Sequence, residues 1–189
     1  MSAFDTALLL IDVQASFEAR PCWDASALPG FLDRSNALIQ GCVDTGVPIV
    51  RILHSDGPDD ASNPFALSSG LVRPLDGLAD FTPALTVVKR RHSALVGTDL
   101  RVWLVEHGVR RLIIAGIRTE QCCETTTRHA SDEGWSVDFV TEATLTFDMI
   151  SPTGEQISVH DLHTRTETVL SGRFATICTV EQALSRAAS

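Results

Sequence analysis

The chain predicts an α/β domain built on a parallel sheet with helices on both faces. Three observations lead to it. Short apolar runs of the kind that form strands buried on both sides alternate with segments of helical spacing. Glycines stand where those helices should stop. Reactive side chains fall at or just past the carboxyl ends of the apolar runs, where open α/β sheets bind ligands.

Residues 7–13 (ALLLIDV) read as the first strand, interrupted by Asp12 near its end. Residues 14–28 show no period and read as loop. Apolar residues at helical spacing predict a helix over 30–44, with Gly46 ending it. Residues 47–54 (VPIVRILH) predict the second strand, with Pro48 at its start. Residues 55–83 are rich in Gly, Pro, Asp and Ser, and a long irregular stretch of this kind is often functional. Residues 85–89 (LTVVK) predict the third strand. A helix capped by Thr98 follows, with Leu100, Trp103 and Leu104 on one face and Gly108 at its end.

The stretch from Arg111 to Glu142 organises the rest. An apolar run, 112–115, ends at Gly116; Thr119 suits an N-cap for a helix running to about Glu133, and Gly134 suits its stop. Residues 136–140 predict the next strand. Residues 155–170 predict a helix, 174–178 (FATIC) the sixth strand and 180–188 a terminal helix. Cys122 falls in the first turn of its helix, where free N–H groups and the helix dipole should ease formation of a thiolate. With no repeat, linker or low-complexity segment, the 189 residues read as one domain, 1–189.

Composition narrows the function. A formal charge of −9 argues against a nucleic-acid partner. No run approaches the roughly 20 apolar residues needed to span a membrane. The N-terminal segment lacks a basic region and fits a strand better than a signal peptide. Five cysteines, mostly far apart, suggest reduced thiols and a cytoplasmic setting. There is no C-x-x-C and no close Cys/His cluster, so no structural zinc site is expected.

Asp12, His54, Lys89 and Cys122 share the strand-end position. By type alone, Cys122 reads as an inert core thiol, Asp12 as a strand-end cap and Lys89 as a solvated loop residue. Together they place a carboxylate and an ammonium at the ends of apolar strands, where burial without pairing is costly. Mutual pairing removes that cost. A cysteine nucleophile needs a base and donors for the developing oxyanion; Asp12 suits the base and Lys89 could hold both anions in register.

Three segments then carry a family resemblance. LLLIDVQASF (8–17) matches an apolar strand followed by D-x-Q-x-x-F. VVKRRHSALVGTDL (87–100) matches K-x-x-x-S-A-F-x-G-T-x-L, with Leu95 in place of phenylalanine. GIRTEQCCETT (116–126) matches G-x-x-T-[DE]-x-C-V, with Cys123 in place of valine, and Glu142-Ala143 stands for a common Asp-Ala. The chain resembles the isochorismatase-like cysteine hydrolases, which include nicotinamidases, N-carbamoylsarcosine amidases, ureidoacrylate amidases and isochorismatases. Order and spacing agree over most of residues 6–145.

The resemblance implies a three-layer α/β/α fold with a six-stranded parallel sheet of order 3-2-1-4-5-6. It implies a triad of Cys122, Asp12 and Lys89, and a cis peptide between Ile117 and Arg118. The backbone N–H groups of Arg118 and Cys122 would form the oxyanion hole. Arginine at 118 departs from the family's usual small residue; its side chain is expected toward solvent, with contact to a substrate carboxylate as the alternative. The implied reaction is hydrolysis of a small amide, ureide or carbamoyl compound through a thioester, with ammonia released. A small-molecule substrate, no cofactor and a homo-oligomer are implied.

The pocket is expected from Phe17, Trp23, His54, Arg118 and the 55–83 loop, with Phe147 from a neighbouring chain. Nicotinamidases carry a D-x-H segment and a further histidine after the second strand. Here HSDGPDDASNPF supplies only His54 and Asp56, so metal is not expected. His160 and His163 read as a solvated helix face. Cys123 faces roughly 100° away from Cys122 around the helix and reads as a core thiol. Rival readings are vinyl-ether hydrolysis, a non-catalytic binding protein on the same scaffold, and a Cys122–Cys123 redox module.

Overall fold

The computed structural model describes residues 4–188. In chain order the elements are β1 (Thr6–Ile11), α1 (Leu28–Thr45), β2 (Ile49–His54), β3 (Leu85–Lys89), α2 (Leu100–Glu106), β4 (Arg111–Ile117), α3 (Glu124–Asp132), β5 (Ser136–Leu145), β6 (Met149–Ile150), β7 (Gln156–Ile157), α4 (Val159–Leu170), β8 (Thr176–Ile177) and α5 (Val180–Ala187). Six strands form one parallel sheet of order β3-β2-β1-β4-β5-β8. This is the expected order, with β8 in sixth place because β6 and β7 pair with each other as a separate antiparallel ribbon.

Strand alternation sorts the core into two layers. Leu8 and Leu10 of β1 face α1 and α5, packing with Phe31, Leu38, Ile39, Cys42 and Ala183. Ala7, Leu9 and Ile11 face α2, α3 and α4, packing with Leu100, Leu104, Ala130 and Leu170. Both faces of β1 are therefore buried, which is why it reads as an unbroken apolar run. α1 ends as expected at Gly46, whose left-handed φ of 73° lets its N–H reach back to Cys42 and Val43.

Several boundaries differ from expectation: Asp99 rather than Thr98 stands at the N-cap of α2, α1 begins at Leu28, and four further differences lie nearer the site or the last strands. Thr119 is not a cap. It opens a π-helical turn, Thr119–Cys123, and its hydroxyl donates to Thr144 Oγ1 at 2.8 Å. β5 runs on past residue 140 to Leu145, with a register shift between Ile114 and Gly116 that sets Gly116 opposite Thr144. α4 starts only at Val159, because Ser158 and Asp161 make a capping box there and residues 156–157 enter the ribbon. β8 keeps only two of the five expected residues.

The parallel register aligns the carboxyl ends of the central strands. Ile11 pairs with Ile52 on one side and Gly116 on the other, and His54 pairs with Lys89. Gly116 has φ of +131°, and a Cβ there would lie 1.9 Å from the carbonyl oxygen of Ile11. Only glycine allows β4 to lie that close to β1. Gly116→Ala is expected to lower unfolding free energy by more than about 2 kcal/mol in urea titration; an unchanged midpoint would contradict the close approach.

Candidate active site

β1 delivers Asp12 at its carboxyl end. The residue has φ of +53°, outside the range most side chains adopt, and its N–H donates to the Ile52 carbonyl at 2.8 Å. Lys89 closes β3 and His54 closes β2, side by side in register. Cys122 rises from the π-helical turn after β4, and the Ile117–Arg118 peptide preceding that turn is cis. The structure thus brings together all four strand-end residues.

Lys89 is the centre of the cluster. Its ammonium is fully buried and lies 2.7 Å from Asp12 Oδ2, 3.2 Å from His54 Nδ1 and 3.4 Å from Cys122 Sγ. An ammonium has three donors and no acceptor, so these three partners satisfy it completely. The same fact fixes the histidine: its Nδ1 must accept, which leaves the proton on Nε2. Asp12 is also fully buried, and its Oδ1 has no hydrogen-bond partner among the described residues.

Burial governs the titration. It pushes the Asp12 carboxyl above its ordinary value of 3.8, against the pull of Lys89. Burial also pulls Lys89 down, but Asp12 and Cys122 together raise it above its ordinary 10.5. The Cys122 thiol is pushed up to about 12, first by burial and then by the charge of Asp12, with Lys89 opposing. Desolvation and the neighbouring carboxylate thus act against the expected easing of thiolate formation by the turn's free N–H groups, with Lys89 acting for it. His54 is lowered to about 4 by burial and then by Lys89, so it is neutral at ordinary pH.

Buried groups behind the cluster hold it in place. Gln14, fully buried, accepts from the His54 N–H at 2.7 Å and donates to the His54 carbonyl at 2.9 Å. Phe65, from the long loop after β2, meets Phe17 edge-on at 5.2 Å and sits 6.0 Å from the His54 ring. Cys123 is fully buried in the apolar layer under α3, as a core thiol should be.

A cavity of about 360 Å³ opens beside the Cys122 turn, lined by Phe17, Arg20, Pro21, Cys22, Arg118 and Gln121. Two of the expected pocket residues, Phe17 and Arg118, line it. The Arg118 side chain is not directed to solvent. It pairs with Glu120 at 3.1 Å and donates to Thr146 Oγ1 and the Phe147 carbonyl, both at 3.2 Å. Trp23 packs on Phe147 at 5.4 Å between ring centres. Phe147 is itself buried in the core of its own chain, because the extended β5 carries it inward. Neither it nor Trp23 lines the cavity; Phe147 instead borders a separate cavity of about 280 Å³ with Cys22 and Val159. His54 stands on Lys89 rather than on the cavity wall. A wider depression of about 600 Å³ around Cys178 and Glu181 touches none of these residues.

Gln14, Arg20, Phe65 and Gln121 were not singled out from sequence. Gln14 and Gln121 had a signal, since both stand inside the quoted motifs. Phe65 had a weaker one, as one of two aromatic residues, with Phe81, in a polar loop. Arg20 had none. Among the described residues, no group of three or more His, Cys, Asp or Glu side chains is placed to hold a metal ion. Asp56 is exposed and caps Gly57. His160 is exposed, as expected, but His163 is half-buried with Nε2 3.3 Å from Thr119 Oγ1. No helix among the described residues is long and apolar enough to cross a membrane.

Residues 6–182 match the isochorismatase domain. The chain is 33% identical to Nicotinamidase 3 of Arabidopsis thaliana over 153 residues, covering 75% of this chain and 73% of that protein. It is 25% identical to the isochorismatase family protein YrdC of Bacillus subtilis (strain 168), covering 95% and 94% of the two chains. The crystal structure of a putative hydrolase of the isochorismatase family from Chromobacterium violaceum superposes with a TM-score of 0.85 at 24% identity, covering 98% of this chain and 95% of that one. A parallel sheet carrying a cysteine, a carboxylate and a lysine at its carboxyl edge is the framework of a hydrolase. The chain belongs to the isochorismatase family.

Two measurements check the cluster. Histidine ¹⁵N spectra should show His54 unprotonated at Nδ1 at pH 7, protonating only near pH 4; a charged ring at neutral pH would contradict the geometry. Lys89→Met would leave Asp12 buried without its cation, a loss of about 3–5 kcal/mol. Because the stranded carboxyl can escape by protonating, that loss should shrink as pH falls from 8 to 5 in urea titrations.

Proposed function

We propose that the chain is a cysteine-dependent hydrolase of a small amide, ureide or carbamoyl compound, releasing ammonia through a thioester. The observation that carries this is the single buried ammonium in contact with both Asp12 and Cys122. As sulfur attacks the carbonyl carbon, the thiol proton passes to Asp12. One negative charge leaves the carboxylate and one develops at the site of attack, so Lys89 faces a single anion throughout. Burial has already made Asp12 a stronger base than an ordinary carboxylate, which favours that transfer.

The oxyanion is held by the N–H groups of Arg118 and Cys122. Asp12 then protonates the leaving nitrogen, the C–N bond breaks and ammonia departs. Water attacks the thioester, Asp12 takes its proton, and the C–S bond breaks. The acid product leaves, and the proton on Asp12 returns to sulfur. Amide chemistry is supported by the likeness to a protein named a nicotinamidase and by a cysteine placed as nucleophile. The same reading takes a small-molecule substrate, no metal or other cofactor, and a homo-oligomer in the cytoplasm.

Ammonia release from a panel of small amides, ureides and carbamoyl acids, run beside Cys122→Ala, tests the proposal. Turnover in the wild type that vanishes in the variant is the expected result. Ammonia release surviving the substitution would remove the nucleophile assignment, and cleavage of a vinyl ether with no ammonia from any amide would favour the isochorismatase reaction. The pH profile is a second check. Asp12 must be ionised to act as base and its value is raised, so the acid limb of kcat/KM should lie above pH 3.8. Lys89 is raised above 10.5 and Cys122 stands at about 12, so neither should add an alkaline limb below about pH 10.

A further inference from the structure

The cavity beside Cys122 has an arginine on each of two walls, and the two differ in state. Arg118 is spent on Glu120, Thr146 and the Phe147 carbonyl. Arg20 makes no ion pair or side-chain hydrogen bond among the described residues. Its backbone is nonetheless fixed. The Arg20 N–H donates to the Phe17 carbonyl at 2.9 Å, and its carbonyl accepts from the Trp23 N–H at 3.0 Å. Its guanidinium lies 4.3 Å over the ring of Phe65, which is buried and braced edge-on by Phe17. Stacking occupies the face of the guanidinium and leaves the N–H groups at its edge for an acceptor.

We propose that Arg20 is a carboxylate-binding subsite at the mouth of this cavity, so that the substrate is an amide or carbamoyl compound carrying an acid group at its far end. A planar fork of donors matches a carboxylate in two parallel hydrogen bonds, and a free charge held on an aromatic ring needs little ordering on binding. The cavity spans from Arg20 to Arg118, which precedes the nucleophile's turn, and Gln121, which stands in that turn next to Cys122. An acid group at one end and a scissile amide at the other fit that span. Phe65, on whose ring the Arg20 guanidinium rests, also meets the ring of His54, the partner of Lys89. This inference rests on the amidase reading for its turnover, but not for its binding.

Malonamate, succinamate and glutaramate, each beside its neutral diamide, separate the two. Each pair keeps the scissile amide and differs only in the charge at the far end. Ammonia release is measured in the wild type, Arg20→Gln and Arg20→Lys, and binding of the same compounds to Cys122→Ala, with and without Arg20→Gln, by calorimetry. The wild type should favour one acid over its diamide. That ratio should fall about tenfold or more in Arg20→Gln, the worth of a hydrogen bond to a charged group, and recover in part in Arg20→Lys. An acid-over-diamide preference that is absent, or that survives Arg20→Gln, overturns the subsite. Arg20-dependent binding of the acids with no ammonia from any compound keeps the subsite and overturns the amidase reading.

Discussion

One buried ammonium sets the terms for the rest of this molecule. Lys89 has no contact with water and three acceptors, each from a different part of the chain. A charge in that position is tolerable only while its partners stay in place. Any shift of β1, β2 or the turn after β4 would leave the ammonium short of an acceptor. The cluster therefore ties together the ends of three adjacent strands as firmly as it prepares a reaction. Its electrostatics are unusual in a useful way: one ammonium faces both groups, so the proton can sit on one and the charge on the other. Exchanging the two leaves the net charge around the lysine unchanged.

The fold makes that cluster by register. Parallel strands of matched length end on a common edge, and each contributes its terminal side chain there. Beside the cis Ile117–Arg118 peptide, Gly116 and the left-handed Asp12 are two places where the backbone departs from ordinary strand geometry. Both lie where β1 and β4 run out, one bringing the strands together and the other turning a carboxylate beneath the lysine. Glu124 anchors the opposite layer. It is buried under α3 and paired with Arg128 of its own helix and Arg165 of α4.

Much of this was legible in the residues. Charged side chains closing apolar strands named Asp12 and Lys89, and helical spacing named the buried faces of α1 and α2. Position in the turn after the fourth strand named Cys122, and the family resemblance added the cis peptide. What escaped has physical causes. The state of the thiol depends on what surrounds it in three dimensions, so a rule about first-turn residues left out the burial and the carboxylate that act against it. The π-helical turn adds one residue to a helical loop and leaves no trace in periodicity. The far half of β5 was hidden because threonines occupy buried positions there, the Thr144 hydroxyl accepting from Thr119 and donating to the Thr141 carbonyl. Arg118 looked solvent-bound because its partners, Glu120 and Thr146, are defined only once the chain has turned back on itself. Arg20 and Phe65 stand forty-five positions apart, and no spacing rule links them.

Gln14 carries a consequence of another kind. Its amide closes two hydrogen bonds onto the backbone of His54, at the point where the ladder between β1 and β2 has ended. The floor of the site is thus riveted by a side chain from the strand side, and the later part of the long segment after β2 joins it, the Ala15 N–H donating to the Arg73 carbonyl at 3.0 Å and the Leu75 N–H to the Val13 carbonyl at 3.1 Å. That segment supplies Phe65 and, through it, the seat of Arg20. Phe65 also meets the His54 ring, so floor and wall touch there. Insertions, deletions or substitutions over residues 56–70 can recast what the cavity admits while the lysine, its carboxylate and its thiol keep their spacing. A scaffold built in this way can change its diet without relearning its chemistry.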